Sequence, residues 1–527
     1  MRLLRTIVSL LLVCAAAAAT ILAQGRAKPP LKATDIDAIA TLLKLEDART
    51  FDEATLSRIL GSVHPEVRRR AVQSVGRIAD KRGATLLDVA RKDKDVEVAA
   101  TAAWSAGQLR DPAAVAWLSA LLGTNGVPLT VQREAAIALG KIQAPESRVA
   151  LARYLSETPV EKAPALVVGE ALQSMGRFPP EGDVSSIARW ASSPDVEIRW
   201  RTAWALFRPR NPAALPHLLQ LADDRSADVR FWAVRGLAPY PNVDPAPSAT
   251  RLRAAVTDPD RRVRTEALRA LSQHDDDESF AIVLSALASP DAWLSVSSAE
   301  GLARYTTRGD VIVPRLAAAA AADRPLALRR TARQSLGRFG EAGKTALSAL
   351  PTEGLPSQTP GVRGPRPVPQ LRTDAEYRAI AERWIVTAYK GARPPRVELA
   401  TARGTIELEL YPGDAPLGLE YLIRVIESGE IVGTEFSRVV PNFVVQQRGI
   451  RNDIVLRDEV SRRGLTRGNL SWASAGLDTG TPGYTLGITP QPHNEGNFTA
   501  LGRIVRGTDA VEQLQLGDTI TGARMIK

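Results

Sequence analysis

In Phe436-Ser437-Arg438-Val439-Val440-Pro441-Asn442-Phe443-Val444-Val445-Gln446, one Arg, one Phe and one Gln stand at fixed offsets around a run of β-formers. Arg438 and Gln446 therefore project from or beside a strand whose faces are largely apolar. A guanidinium in that setting is either paired or functional, and the set reads as a binding floor with a charge in it. The competing reading is an Arg at a sheet edge whose stem lies on apolar neighbours while its head reaches water.

Two further blocks frame this stretch: Gly404-Thr405-Ile406-Glu407-Leu408-Glu409-Leu410 upstream and Gly468-Asn469-Leu470-Ser471-Trp472-Ala473 downstream. Together and in this order they resemble the cyclophilins, the prolyl cis/trans isomerases, from Arg396 to Lys527. The resemblance implies a mainly β closed barrel with flanking helices that turns over X–Pro bonds with no cofactor and no metal. The barrier to peptide rotation is about 18–20 kcal/mol, whereas cis and trans X–Pro differ by only about 0.5–1 kcal/mol. Such an enzyme lowers a barrier by gripping the ring, donating to the nitrogen as its lone pair leaves conjugation, and anchoring the flanking carbonyls.

By that resemblance Arg438 is the donor to the prolyl nitrogen, Gln446 the second catalytic residue, which anchors the substrate backbone, and Phe443 a wall of the proline pocket. The lining it implies also includes Phe436, Val444, Ala473 and Ser474. Tyr484-Thr485-Leu486 falls where the family usually has Gln-Phe-Phe, so Leu486 would replace an aromatic wall, with a one-residue insertion. Where the family commonly has a His before the Arg, a Met after the pocket Phe, a Trp-Leu pair on the following loop and a His near the pocket floor, this chain has Ser437, Val444, His493-Asn494 and Phe498. A remodelled lining bears on substrate preference and on turnover.

These residues occupy the end of a chain whose larger part is periodic. An apolar residue, a small residue four on and often Gly five beyond that recur from Val67, Val98, Val131, Val167, Ile198, Val229, Val263, Leu294 and Leu328, at spacings of 31 to 36 residues. The pattern resembles HEAT repeats, paired helices that bury their apolar stripes only by stacking into an all-α solenoid. Ser193-Pro194-Asp195, Asp258-Pro259-Asp260 and Ser289-Pro290-Asp291 each offer a capping oxygen followed by Pro at the first helical position.

The expected organisation is an export signal at 1–24, a solenoid at 33–350 capped by the helix pair Ala33 to Ser62, a Pro-rich linker at 351–372, a linking helix within 373–394 and the isomerase-like domain at 395–527. Arg2 and Arg5 precede an apolar run from Ile7 to Leu22, with Ala23 suited to cleavage. This predicts a periplasmic or extracellular protein. A membrane contact is expected only if that segment stays uncleaved.

Composition narrows the chemistry. Cys14, the only cysteine, lies in the signal, and the four histidines, His64, His217, His274 and His493, are scattered. No cysteine metal site, disulfide or His-centred hydrolase follows. The net charge of +10 is modest against 58 acidic residues; Arg68-Arg69-Arg70 and Arg261-Arg262 read as solvated helix faces, so no nucleic-acid partner is expected. The partners expected are proline-containing polypeptides in the pocket and a protein on the solenoid. The function expected is an exported prolyl isomerase that assists folding. The alternatives are a noncatalytic proline-binding domain and an envelope scaffold carried by the repeats.

Overall fold

The structure, a computed structural model, describes residues 28–351, 371–449 and 454–526. Every motif residue of the repeat pattern falls at the third position of a helix. These inner helices are α1 (Pro65–Ile78), α2 (Val96–Leu109), α3 (Leu129–Ile142), α4 (Ala165–Met175), α5 (Val196–Phe207), α6 (Ala227–Arg235), α7 (Arg261–Leu271), α8 (Ala292–Leu302) and α9 (Leu326–Leu336). Outer helices such as Glu53–Leu60, Leu215–Leu221 and Asp277–Ala286 alternate with them. Val67, Val98, Val167 and Val263 are at most 1% exposed, and consecutive inner helices pack on one another along the array.

Small residues set that approach. A Cβ on Gly107 would stand 2.7 Å from Ala138 Cα, and one on Gly140 would stand 2.9 Å from Ser174 Cα, so neither position has room for a side chain. Ser105 and Ser174 use the same closeness to donate to Val72 O and Ala136 O, both at 2.8 Å. The recurrent Gly is thus a helix-crossing point, and the repeats share one continuous core.

The caps lie two residues later than the sequence suggests. Asp195, not Ser193, caps α5, accepting from Glu197 N at 2.8 Å, while Ser193 Oγ accepts from Asp195 N. Asp260 and Asp291 cap α7 and α8 in the same way. Each Pro therefore precedes its helix. The turn it makes is held by a guanidinium: Arg199 Nη1 donates to Ser193 O and Pro194 O at 2.9 and 3.1 Å, and its Nε pairs with Asp224 at 2.7 Å. Arg68 and Arg230 repeat the device with Asp93 and Asp258.

The basic runs are correspondingly not solvated faces. Arg68 and Arg70 are buried, Arg69 and Arg70 share Glu66, Arg261 pairs with Asp291, and Arg262 pairs with Asp228 and Asp260. Their charges are compensated inside the fold.

After the linker the chain returns to the start of the array. Helix α10 (Asp374–Ile380), continued by a π-helical turn over Ala381–Val386, packs on Ala33–Ala48. Tyr377 OH donates to Asp47 at 2.7 Å, Arg372 pairs with the same carboxylate at 2.9 Å, and Lys44 pairs with Asp374 at 2.8 Å. The expected signal at 1–24 and all but the ends of the linker at 351–372 lie outside the described residues.

The C-terminal domain is an antiparallel sheet of eight strands, β1 (Arg396–Thr401), β2 (Gly404–Leu410), β3 (Phe436–Val440), β4 (Val444–Gln447), β5 (Asn469–Ala473), β6 (Thr481–Gly487), β7 (Ala500–Arg506) and β8 (Ile520–Ile526), in the order β3-β4-β6-β5-β7-β2-β1-β8. Its outer strands meet. Glu435 bridges Thr519, Gly433 N donates to Ile520 O at 2.8 Å, and Ile520 N donates to Thr434 O at 3.0 Å, closing a barrel. Helix α11 (Pro416–Glu427) covers the barrel beside β8.

The barrel docks on the inner helices. Arg77 of α1, 2% exposed, donates to Glu46, Val460 O and Asp414 O at 2.7, 2.9 and 2.5 Å. Arg49 pairs with Asp478, and Arg462 of the barrel pairs with Glu97 of α2 and Glu134 of α3. Lys141 reaches Gly496 O at 2.8 Å, Arg177 reaches Pro492 O at 2.6 Å, and Arg261 of α7 reaches Glu512 O at 2.9 Å.

Candidate functional site

Arg438 and Gln446 are direct partners in the β3–β4 ladder, which places both side chains on one face of the sheet. The row continues across β6 and β5, where Gln446 faces Thr485 and Thr485 faces Ser471, their hydroxyl oxygens 2.8 Å apart. Pro441-Asn442 forms the hairpin turn, with Phe443 N donating to Val440 O at 3.0 Å. Asn442 has φ of +60°, a left-handed state that Asn tolerates at the third position of such a turn. The turn brings the Phe443 ring to 5.5 Å from the Arg438 guanidinium carbon. His493, at the loop position where the resemblance leads one to expect Trp, stacks on Phe443 at 5.8 Å with an interplanar angle of 28°.

The turn is fastened to the array. Asn442 Nδ2 donates to Arg262 O at 2.8 Å and to Glu266 at 3.1 Å, and Arg269 donates to Pro441 O at 3.3 Å. Helix α7 therefore helps set where Phe443 stands.

Arg438 is open to solvent, and among the described residues no carboxylate pairs with it. Desolvation by its neighbours lowers its pKa, and no acid works the other way. Its donors make no hydrogen bond among the described residues. Among the described residues no group of three or more His, Cys, Asp or Glu is arranged to hold a metal ion.

The remaining expected site residues divide by face. Val444 shares the face of Gln446 but is 2% exposed. Ala473 is buried at a bulge of β5, while Ser474 and Phe498 are half-buried near the chain's return. Two expectations are corrected. Leu486 is fully buried and pairs with Val445 and Leu470, on the core side of the sheet, because a shift of one residue in register reverses every side chain. Thr485 occupies the site face in its place, next to Gly487. Phe436 is likewise wholly buried, its backbone tied to Asp518 O and Gly517 N at the barrel seam, and it is a core side chain. The sequence reading gave no site role to Thr485, and it placed His493 at the family's loop Trp without foreseeing its stacking on Phe443.

Buried acids lie along the docked side of the barrel. Glu459, which accepts from Leu417 N and Gly418 N at the start of α11, is pushed up to about 7, chiefly by burial. Burial also raises Glu495 to about 7 and Asp458 to about 6. Each folded value lies above the ordinary one, so these groups favour the fold when protonated and lose that contribution as pH rises through the folded value. His493, held at about 4 by burial and by Arg208, acts oppositely, but only below its ordinary value of 6.5. Stability is therefore expected to fall as pH rises from about 5 to about 7.5, the three raised acids outweighing the one lowered histidine. Thermal unfolding across that range should show the midpoint dropping, and Glu459→Gln should flatten the slope; a midpoint that rises with pH would contradict the assignment.

A family model described as cyclophilin type peptidyl-prolyl cis-trans isomerase matches residues 396–527, and one described as HEAT repeats matches 53–128, 83–168, 160–238 and 218–303. The chain is 31% identical to peptidyl-prolyl cis-trans isomerase B of Bacillus subtilis, over 23% of this chain and 90% of that protein. It is 29% identical to peptidyl-prolyl cis-trans isomerase ppi1 of Schizosaccharomyces pombe, over 25% of this chain and 92% of that protein. A third similar protein, peptidyl-prolyl cis-trans isomerase-like 2 of Gibberella zeae, is 27% identical over 33% of this chain, which spans only 29% of its length. Among solved structures, a Cryptosporidium parvum cyclophilin type peptidyl-prolyl cis-trans isomerase has 18% identity and a TM-score of 0.24, covering 25% of this chain and 98% of its own.

Proposed function

The chain belongs to the cyclophilin-type peptidyl-prolyl cis-trans isomerase family through residues 396–527, and on that premise we propose that it rotates X–Pro bonds in exported polypeptides held with the help of its HEAT array, assisting their folding. The proline ring rests on Phe443. As the peptide bond twists, its nitrogen lone pair leaves conjugation and becomes an acceptor, and Arg438 donates to it. Gln446, directly across the ladder, anchors the backbone next to the twisting bond. Interactions that strengthen only in the twisted state lower the barrier without tightening ground-state binding.

The observation that carries this reading is the uncompensated guanidinium of Arg438, set beside Phe443 and Gln446 on one face. Among the described residues nothing competes with substrate for its donors. Export rests on Arg2 and Arg5 ahead of the apolar run Ile7 to Leu22, and recovery of the protein in the cytoplasmic fraction alone would remove that part.

The test is exchange NMR on an Ala-Pro peptide with and without the protein. Cis/trans exchange faster than the uncatalysed tens of seconds is expected. No acceleration by folded protein would favour a noncatalytic proline-binding domain. One feature supports that second reading: Thr485, a small side chain, occupies the site face opposite Gln446 where the resemblance leads one to expect an aromatic wall.

A further inference from the structure

A cavity of about 520 Å³ opens where the C-terminal ends of α2 to α5 face the loop that follows β6. Arg110, Lys141, Arg177 and Arg208 line it, and among the described residues no carboxylate does; His493 and Asn497 form its barrel side. We propose that this cavity is a second recognition site, which takes the carboxylate side chains of an acidic segment in the same polypeptide whose proline rests on Phe443. The proposal rests on the isomerase reading and adds to it a substrate class.

Cations at helix C-termini are favoured by the helix dipole alone, and docking accounts for two of the four, since Lys141 and Arg177 donate to Gly496 O and Pro492 O. Arg110 and Arg208 are different. Both are exposed, and neither has a side-chain hydrogen bond or ion pair among the described residues. The acids whose charge reaches Lys141 and Arg177 are turned to other partners: Glu495 accepts from Gln173 and from Leu465 N, and Glu170 accepts from Arg133. The surplus of positive charge registers on its neighbours. After burial, Arg177 and Arg110 are the next causes holding Lys141 well below its ordinary pKa, and Arg208, Arg235 and Arg177 add to burial in lowering His493.

His493 belongs to both sites, lining the cavity and stacking on Phe443. The Phe443 and His493 rings are 5.8 Å apart and the cavity begins at His493, while three or four residues of extended chain advance about 10–13 Å. An acidic residue about three or four positions from the proline therefore reaches the cavity while the proline stays on Phe443. Tethering the carboxylate to the proline makes its capture intramolecular and raises its effective concentration.

The test uses the whole protein and Ala-Pro peptides of equal length. One carries Gln, and two carry a Glu pair three and four residues before or after the proline. At low salt one Glu peptide is expected to have a KM about tenfold below that of the Gln peptide. The preference should vanish in an Arg110→Gln/Arg208→Gln double variant, with turnover of the Gln peptide unchanged, and inorganic phosphate should compete with the Glu peptide alone. No acceleration of the Gln peptide would overturn the isomerase reading itself. Acceleration of all three peptides without a Glu preference, a preference that survives the double variant, or phosphate inhibition equal for all would overturn the cavity proposal.

Discussion

Replacing Arg438 with Ala is expected to lower kcat/KM for an Ala-Pro peptide by about 10²-fold or more, the range found when one preorganised donor is removed from the place where charge develops. The expectation is large because the donor acts alone. Gln446 is fixed across the ladder for backbone contact, and Phe443 supplies only its ring. Because Arg438 is exposed and has no hydrogen-bond or carboxylate partner among the described residues, the same change should move stability by less than about 0.5 kcal/mol, as at other surface positions. Exchange NMR and thermal unfolding on one preparation separate the two effects. Arg438→Lys keeps the charge but loses the planar fork and should fall between. A variant as fast as the parent would remove Arg438 from the mechanism.

Arg77→Ala should be the most damaging single change to the fold, at about 3–5 kcal/mol, the cost of leaving a buried carboxylate without its partner. Arg77 is fully buried, and one guanidinium holds Glu46 of the first helix, Asp414 O ahead of α11 and Val460 O of the barrel. Among the described residues its loss leaves Glu46 with Ser74 as its remaining side-chain partner and takes the donor from three carbonyls, Val460 O, Asp414 O and Glu459 O. Denaturant titration gives the stability, and limited proteolysis reports whether the barrel lifts from the array. Arg77→Lys should recover part of the loss. A cost below about 1 kcal/mol would mean that the docking does not depend on this residue.

How much was legible differed by level. The repeat motif marked the inner helices with a constant offset, because apolar spacing and the crossing Gly are local consequences of stacking: Val67 lies two residues into α1 and Leu328 two into α9. The caps were displaced because Ser193 and Asp195 are equally good capping residues, and the choice between them was made by Arg199 reaching back from the following turn. In the site, the hairpin fixed Arg438, Phe443 and Gln446 at sequence distances that survive folding. Leu486 was misplaced because the insertion before it left the register undetermined by one residue, and β-register turns such an error into the opposite face. The docking of barrel on array was invisible, since Arg77, Lys141 and Asn442 carry no sign in the sequence that their partners lie hundreds of residues away.

A repeat array ordinarily behaves as a spring: each unit touches only its neighbours, so it bends, stretches and frays from its ends one unit at a time. Here α10 brings the chain back to the first helix, and the barrel is riveted to the array from Arg49 to Arg261. Drawing the coil open would shear those rivets together, the Asn442 fastening beside Phe443 among them. The array is thereby stiffened into a frame, and a load applied along it is borne at the turn that carries Phe443.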